Sequence, residues 1–525
     1  MIRINLHNIA GRTRLAQISG LALLISASAA WSAQNQPDPP IDSPEQQRAP
    51  TAFAEPPPEP VLEWGTEEGT SWWIPAADIV LFDFLLNQFN REFSGTSDYD
   101  VDKDSLERNF KGSWVYDNDP FDINQFGHPY QGSMYHGFAR SAGHGYWTST
   151  AYTVLGSAAW EIAGERTPPS INDQITTGIG GGFLGEPLFR MASLLLESSG
   201  GKPGLWHELG AAALSPATGF NRLAFGDRFD GVFRSHNPAV YTRIGLGLNV
   251  DSSVDSNVNT NRDAATLPIP QSYDTGTVTG DFTIAYGLPG KKGYTYERPF
   301  DYFHFQFSAA SSNFLENVIS RGLLYGTDYE AGDNYRGVWG LYGTYDYLAP
   351  QIFRISTTGL GLGTTGQWWI SEKWALQGTL LGGVGYGSAG ALENNRAQDR
   401  DYQNGLSGQA LVAMRLIHGD RASLDMNVRQ YHVSDVGTDI QGGEENIFRA
   451  DVTLTVRVHK LHALTFGVVT SRRDAQFDGF DDTHQQVVAF NLGYAYLGQT
   501  RSGAVDWRPR SEGGPGASDL QSDHQ

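Results

Sequence analysis

The 525-residue chain contains no cysteine. That excludes disulfides, iron–sulfur clusters and thiolate chemistry, and it suits a protein that must cross the periplasm unfolded. Positive charge is scarce. Only 37 Lys and Arg stand against 58 Asp and Glu, a formal net charge of −21. With no basic stripe, no nucleic-acid partner is expected, because such binding needs a positive footprint. Long apolar runs are missing as well. Mean hydropathy is −0.36, and Asp78, Asp83, Glu161 and Glu186 interrupt the apolar stretches. A helical span needs about 20 predominantly apolar residues, so none is expected. No motif calls for a cofactor or a metal, and neither is expected.

What is abundant is alternation. Val452, Leu454, Val456 and Val458 alternate with Asp451, Thr453, Thr455 and Arg457. Ile244, Leu246, Leu248 and Val250 likewise oppose Arg243, Gly245, Gly247 and Asn249. One face is apolar and the other polar, charged or glycine, which is what a transmembrane β-barrel requires of each strand. About twelve such segments of roughly ten residues follow Tyr241, and an even count is expected of a bacterial barrel. Aromatic residues make up 12% and glycines number 62. Both suit barrels, as interface girdles and as relief for strand curvature. Trp72, Trp73, Trp339, Trp368, Trp369 and Trp374 are expected in such girdles. Turns such as His418-Gly419-Asp420 and Lys460-Leu461 are short and expected to be periplasmic. The loops Ser252 to Thr277, Leu392 to Asn404 and Arg472 to Thr483 are long and expected to be extracellular. Val488, Phe490, Leu492, Tyr494 and Tyr496 form an aromatic-rich last strand of the kind that the barrel assembly machinery reads.

The region before the strands has a different grammar. Arg3, Arg12 and Arg14 precede the apolar run Ile18 to Ala30, which reads as a cleaved secretory signal. The Pro-, Gln- and acid-rich stretch that follows reads as a disordered linker. Helices are expected near Ala76 to Phe93, over Tyr146 to Ala163, and after Pro168-Pro169, with Ser170 as N-cap and Asp173 as its N3 partner. Pro129, Gly132, Gly137, Gly143 and Gly145 argue against one continuous helix between the first two. The glycine run Gly178 to Gly182 is expected to permit close packing or a kink.

The resulting fold class is an α+β membrane protein: an N-terminal helical domain followed by an antiparallel transmembrane β-barrel of about 12 strands. The expected boundaries are a signal peptide over 1–33, a Pro-rich linker over 34–63, a helical domain over 64–235, a barrel over 236–498 and a disordered polar tail over 499–525.

The segment Asp119-Pro120-Phe121-Asp122-Ile123-Asn124-Gln125-Phe126-Gly127-His128-Pro129-Tyr130-Gln131-Gly132-Ser133 is distinctive. It is followed in order by Ala139-Arg140-Ser141, Gly143, Trp147, Gly156-Ser157, Trp160-Glu161, Gly164-Glu165, Pro169-Ser170-Ile171-Asn172-Asp173 and Gly185-Glu186. Together, over about residues 72–196, these resemble the bacterial family catalogued as domain of unknown function 3943. The resemblance implies a Gram-negative cell-envelope protein, often with a barrel-like remainder. It implies no activity.

Chemistry in this segment would centre on His128, His136 and His144, which recur every eight residues. A metal site would need three or four converging ligands, with Asp119, Asp122, Glu161, Glu165 and Asp173 as the available carboxylates. An envelope enzyme acting on lipid by acyl transfer or hydrolysis would use Ser133 or Ser141 with a histidine base and Asp122 or Asn124 to orient it. The chain lacks a Gly-x-Ser-x-Gly elbow, however, and Ser170 is explained as a cap. The plainer expectation is one buried polar network of His128, Arg140, Glu161, Glu165, Asn172, Asp173 and Glu186, because buried charges require partners. In the strands, Arg243, Asp281, Arg415, Asp425, Arg429, Asp451 and Arg457 are expected to face the lumen.

The function expected is a structural or transport-related outer-membrane component whose helical domain plugs or caps the barrel. A lipid-acting envelope enzyme and a soluble periplasmic β-rich binding protein are the alternatives. Outer-membrane lipid and the assembly machinery are the expected partners. The pattern does not specify an oligomeric state.

Overall fold

A computed structural model describes residues 61–117, 119–200, 202–256, 276–350, 353–391, 402–435, 443–477 and 482–508. The expected signal peptide, most of the linker, much of the three long loops and the tail beyond 508 lie outside these residues. Contacts divide the chain into two compact units. The first is Met1–Ser235 with Asn394–Tyr402; the second is His236–Glu393 with Gln403–Gln525.

The first unit is helical. Its α-helices are α1 (Trp73–Phe93), α2 (Lys103–Lys111), α3 (His128–Ser141), α4 (Tyr146–Ala163), α5 (Ile171–Ile175), α6 (Gly181–Glu197), α7 (Leu205–Leu214) and α8 (Pro216–Phe225). No described helix is long and apolar enough to cross a membrane. α3 runs through Pro129, Gly132 and Gly137 but ends at Ser141, and Gly143 (φ 100°) and Gly145 separate it from α4, so no one helix spans this stretch, as expected. A π-helical turn, Ile123–Gly127, leads straight into α3. A proline ring ordinarily clashes with the carbonyl four residues back, and the wider π turn sits where that carbonyl lies. A second π turn, Thr176–Gly180, joins α5 to α6.

The glycines of α3 bring helices together. A Cβ on Gly132 would lie 2.0 Å from the Thr177 carbonyl oxygen, and one on Gly181 would lie 2.5 Å from the Gly132 Cα. The two backbones therefore touch at a point that no larger residue fits. Ile79, Met134, Tyr135, Phe138 and Ala217 form a buried core cluster of this unit.

The second unit is a closed antiparallel barrel of twelve strands, each paired with its sequence neighbour and β1 closing on β12. The strands are β1 (Val240–Ser256), β2 (Gly276–Tyr286), β3 (Phe303–Ala310), β4 (Asn317–Ala331), β5 (Tyr335–Leu348), β6 (Phe353–Trp369), β7 (Trp374–Ala391), β8 (Tyr402–His418), β9 (Ala422–Asp435), β10 (Gly443–His459), β11 (His462–Phe477) and β12 (Thr483–Leu497). Most are longer than the ten residues expected, up to 18 in β7. Ten is the number that crosses a bilayer when tilted, and these hairpins run on past that length. Lys460-Leu461 is a two-residue turn, and Lys460 takes the positive φ (47°) that such a turn demands of its first position.

The alternation sorts the residues as the sequence requires. Ile244, Leu246, Leu248, Leu362, Val384, Leu406, Val452, Phe466 and Leu492 face outward and are between 44% and 67% exposed. Trp339, Trp368, Trp374, Tyr494 and Tyr496 are exposed on the same wall. Two of the expected girdle positions are corrected. Trp72 and Trp73 lie at the start of α1 in the helical unit. Trp369 points into the barrel and is buried, because β6 places it one residue out of phase with Trp368.

Candidate functional site

The barrel interior is one candidate. Arg243 of β1 pairs with Asp281 of β2 at 3.3 Å. Arg415 of β8 pairs with Asp425 of β9 at 2.5 Å, and Arg429 of β9 pairs with Asp451 of β10 at 3.3 Å. Each is a cross-strand pair on the inward face, the geometry in which opposite charges support a sheet. All six residues line one cavity of about 340 Å³, together with His304, Asn427 and Asn491. Arg457 does not line it. It donates instead to the Gln499 carbonyl at 3.1 Å.

Above and below the cavity the interior is filled. Leu348, Phe353, Ile355, Ala389, Tyr431, Val433, Ile447 and Val487 form an apolar cluster toward the long-loop end. Tyr431 of β9 donates across to Asp346 of β5 at 2.7 Å, and Asp346 also pairs with Arg321 of β4. At the short-turn end the chain's own C-terminal segment packs inside, where Val505 joins Leu288, Tyr296 and Tyr302 of the β2–β3 connection. Arg501, Ser502 and Gly503 take left-handed backbone angles (φ 57°, 48° and 78°) and turn the chain sharply after β12. A Cβ on Gly503 would lie 2.6 Å from Tyr241, so only glycine fits there. Val505 is then held by inward side chains. Gln367 Nε2 and Trp369 Nε1 donate to its carbonyl at 2.6 and 2.9 Å, and its N–H donates to Gln367 Oε1 at 2.9 Å. Gln377 Nε2 donates to the Gly503 carbonyl at 3.0 Å. Trp507 donates to the Asp333 carbonyl, and the Arg508 guanidinium stacks 3.7 Å from the Trp369 ring. The expected disordered tail is therefore ordered as far as Arg508. Val505 and Trp507, two apolar residues spaced as in a strand, were its only sequence signal.

The helical unit holds the other candidate, and here the single expected polar network divides. One part centres on Glu186, at the core of α6. It accepts from Arg140 at 2.7 Å, from Arg190 at 2.7 Å and contacts His136 Nε2 at 3.0 Å. Burial alone would raise its pKa, yet Arg140, His136 and Arg190 hold it well below the usual carboxylate range. Burial pushes His136 down against the pull of Glu186. Arg190, four residues after Glu186 on one helix face, is the partner that sequence reasoning missed.

The second part joins His128, Glu161, Asn172 and Asp173 from α3, α4 and α5. His128 Nδ1 meets Thr177 Oγ1 at 3.1 Å, and its Nε2 stands 3.6 Å from Asp173 Oδ2. Glu161 accepts the Ser170 N–H at 2.7 Å. Ser170 does cap α5, accepting from the Asp173 N–H. Its expected capping-box partner was Asp173; Glu161 takes that role from across the fold. Asn172 and Asn124 both donate to Asp117 Oδ1, at 2.6 and 2.5 Å. Burial raises the carboxyl pKa of Asp173 and Glu161 well above the ordinary value, and repulsion from Asp117 and Glu165 adds to it. Asp119 is pushed up to about 8 and His128 down to about 4, each chiefly by burial. Glu165 stands apart with Trp160 and Thr167, its carboxyl raised by burial to about 7.

The remaining residues do not assemble into a nucleophile and base. Ser133 Oγ donates to the Tyr130 carbonyl and Ser141 Oγ to the Gly137 carbonyl. His144 meets the Ser71 carbonyl at 2.9 Å, three residues beyond the end of α3. Asp122 lies just before the first π turn. The eight-residue spacing of the histidines thus leads to three separate environments.

Residues 113–217 match the family described as Domain of unknown function (DUF3943). The match begins later than the resemblance drawn from the motifs and ends later, taking in α7. It contains both polar clusters. No curated protein matches the chain. Solved outer-membrane barrels are similar to about half of this chain at low scores. One is the NanC porin, at 9% identity and a TM-score of 0.24, over 48% of this chain and 98% of its own. Another is the toluene transporter TodX of Pseudomonas putida, at 11% and 0.22, over 50% and 90%. A third is an outer-membrane channel from Pseudomonas putida F1, at 11% and 0.25, over 50% and 96%. Similarity at these scores carries no functional argument.

Proposed function

We propose that the chain is an outer-membrane β-barrel protein with a structural or transport-related role, exported by a cleaved signal peptide in a Gram-negative envelope. The observation that carries this reading is the sorting of the wall. Apolar side chains stand exposed around its outside, while ion pairs line a cavity within. A soluble protein rarely exposes apolar patches beyond a few hundred Å². In lipid the same wall is buried, and a closed barrel leaves no backbone edge unpaired. The second part of the proposal concerns the lumen. The segment Gly503–Trp507 obstructs it at the short-turn end, so passage there requires that segment to leave.

The helical unit, on this reading, plugs or caps the barrel. Trp73, Phe84, Leu155 and Trp206 stay exposed on its helices, and such apolar surface favours a covering partner. Cysteine crosslinking in the cysteine-free chain tests that part separately.

The membrane reading is tested by extraction and gel migration. The expected outcome is release from membranes only by detergent, with faster migration before boiling than after. A protein that stays in solution once its signal is removed rules the reading out.

A further inference from the structure

We propose that His128, Glu161 and Asp173 form a binding site for a divalent transition-metal ion such as Zn²⁺ or Mn²⁺. The three residues each present a ligand atom within 4.8 Å of the others, and all three are buried. They come from three different helices, so the convergence is tertiary and not an accident of helical spacing.

The distances suit a shared ion. His128 Nε2 and Asp173 Oδ2 stand 3.6 Å apart, too far for a hydrogen bond. Two ligand atoms each about 2.1 Å from one tetrahedral metal lie about 3.4 Å apart. The histidine is also oriented for the task. Nδ1 lies 3.1 Å from Thr177 Oγ1, and in the tautomer that donates to this hydroxyl Nε2 turns its lone pair toward the two carboxylates. Metal-bound histidines ordinarily have their second nitrogen fixed in this way. Asn172 Nδ2 similarly holds Asp173 Oδ1 at 3.2 Å, and Oδ2 faces His128 Nε2.

Charge gives an independent reason. Among the described residues, neither Glu161 nor Asp173 pairs with a Lys or Arg side chain. Glu186, buried in the same helical unit, has two arginines. Buried carboxylates are paired, protonated or bound to a metal. The first option is absent among the described residues, so these carboxyls hold a proton until a metal displaces it, and the helical arrangement has supplied a nitrogen ligand beside them. Two π-helical turns, Ile123–Gly127 and Thr176–Gly180, flank His128 and Asp173. Such turns recur at functional sites because they re-aim side chains. Three protein ligands leave one position of a tetrahedral ion open, the arrangement of catalytic rather than structural sites.

The test uses the full mature chain, free of any affinity tag, folded in detergent. It is incubated with Zn²⁺ or with Mn²⁺, desalted and measured by metal analysis and thermal melting. One tightly retained ion per chain and a raised melting temperature are expected. Asp173→Asn and Glu161→Gln should abolish retention. Thr177→Val, which keeps all three ligands and only frees the His128 ring, should weaken affinity roughly tenfold. That variant keeps the proposal testable where the carboxylate variants do not fold. Wild-type chain that folds and retains neither metal overturns the proposal. So does retention that persists unchanged in folded Asp173→Asn, which would put the ion elsewhere.

Discussion

Asp83 is a residue whose environment sets a measurable pH dependence. It lies on α1, accepts a hydrogen bond from Tyr135, and is pushed up to about 8 chiefly by burial. Tyr135 in turn accepts from Gln131 at 2.5 Å. The folded chain therefore keeps a proton that the unfolded chain releases from its ordinary value of 3.8 upward. This contribution to stability is fully present below 3.8 and lost as pH rises through about 8. Asp83→Asn keeps an acceptor for Tyr135 but cannot ionise. Between pH 5 and 9 its unfolding midpoint should fall less than that of the wild type. Parallel curves would contradict this assignment. Individual histidines were readable as candidates in the sequence, but their partners were not. Thr177 meets His128 and the Ser71 carbonyl meets His144 through tertiary crossings, and a spacing of eight along the chain carries no information about those.

At the scale of elements, the crossing of α3 with the second π turn rests on Gly132. A methyl group there has no room beside the Thr177 carbonyl. Gly132→Ala should cost about 1–3 kcal/mol, the usual range for overpacking a filled interior. Denaturant unfolding followed by far-ultraviolet dichroism reads this directly, and an unchanged midpoint would show that the helices can separate there without penalty. Gly145, with open space around the position of a Cβ, serves as the control. Strands were far more legible than helices in this chain. A period of two survives wherever one face meets water and the other an apolar medium, so Val452 to Val458 reads correctly by eye. The passage of α3 through Pro129, Gly132 and Gly137 was hidden, because glycine and proline ordinarily break helices, as Gly143 and Gly145 do here. Within α3 a π turn and a close backbone contact make use of them. The ordered segment after β12 was hidden for another reason. It is held mainly by its backbone carbonyls and N–H groups, which every residue has.

At the scale of the whole molecule, the account is a membrane-spanning barrel closed near one mouth by its own C-terminus. The closure rests on a few hydrogen bonds to Val505 and Gly503. It also contains two non-glycine residues, Arg501 and Ser502, in the left-handed region. Each such residue costs about 1–2 kcal/mol, which offsets much of what those bonds contribute. A closure of this kind is built to be displaced more easily than a strand. Gln367→Ala, which removes both a donor and an acceptor for Val505, should loosen it while leaving all twelve strands paired. That variant should show faster protease cleavage near residues 500–508 with unchanged heat-modifiable migration. Equal cleavage rates would mean that the segment is held by other contacts.

The most direct test is single-channel conductance in a planar lipid bilayer, comparing the intact mature chain with one ending at Gly498. The account predicts insertion by both, little or no steady current from the intact chain, and discrete, larger conductance steps from the truncated one. Equal conductance from two correctly folded proteins would contradict closure by the C-terminal segment, and failure of both to insert would contradict the membrane-spanning barrel itself.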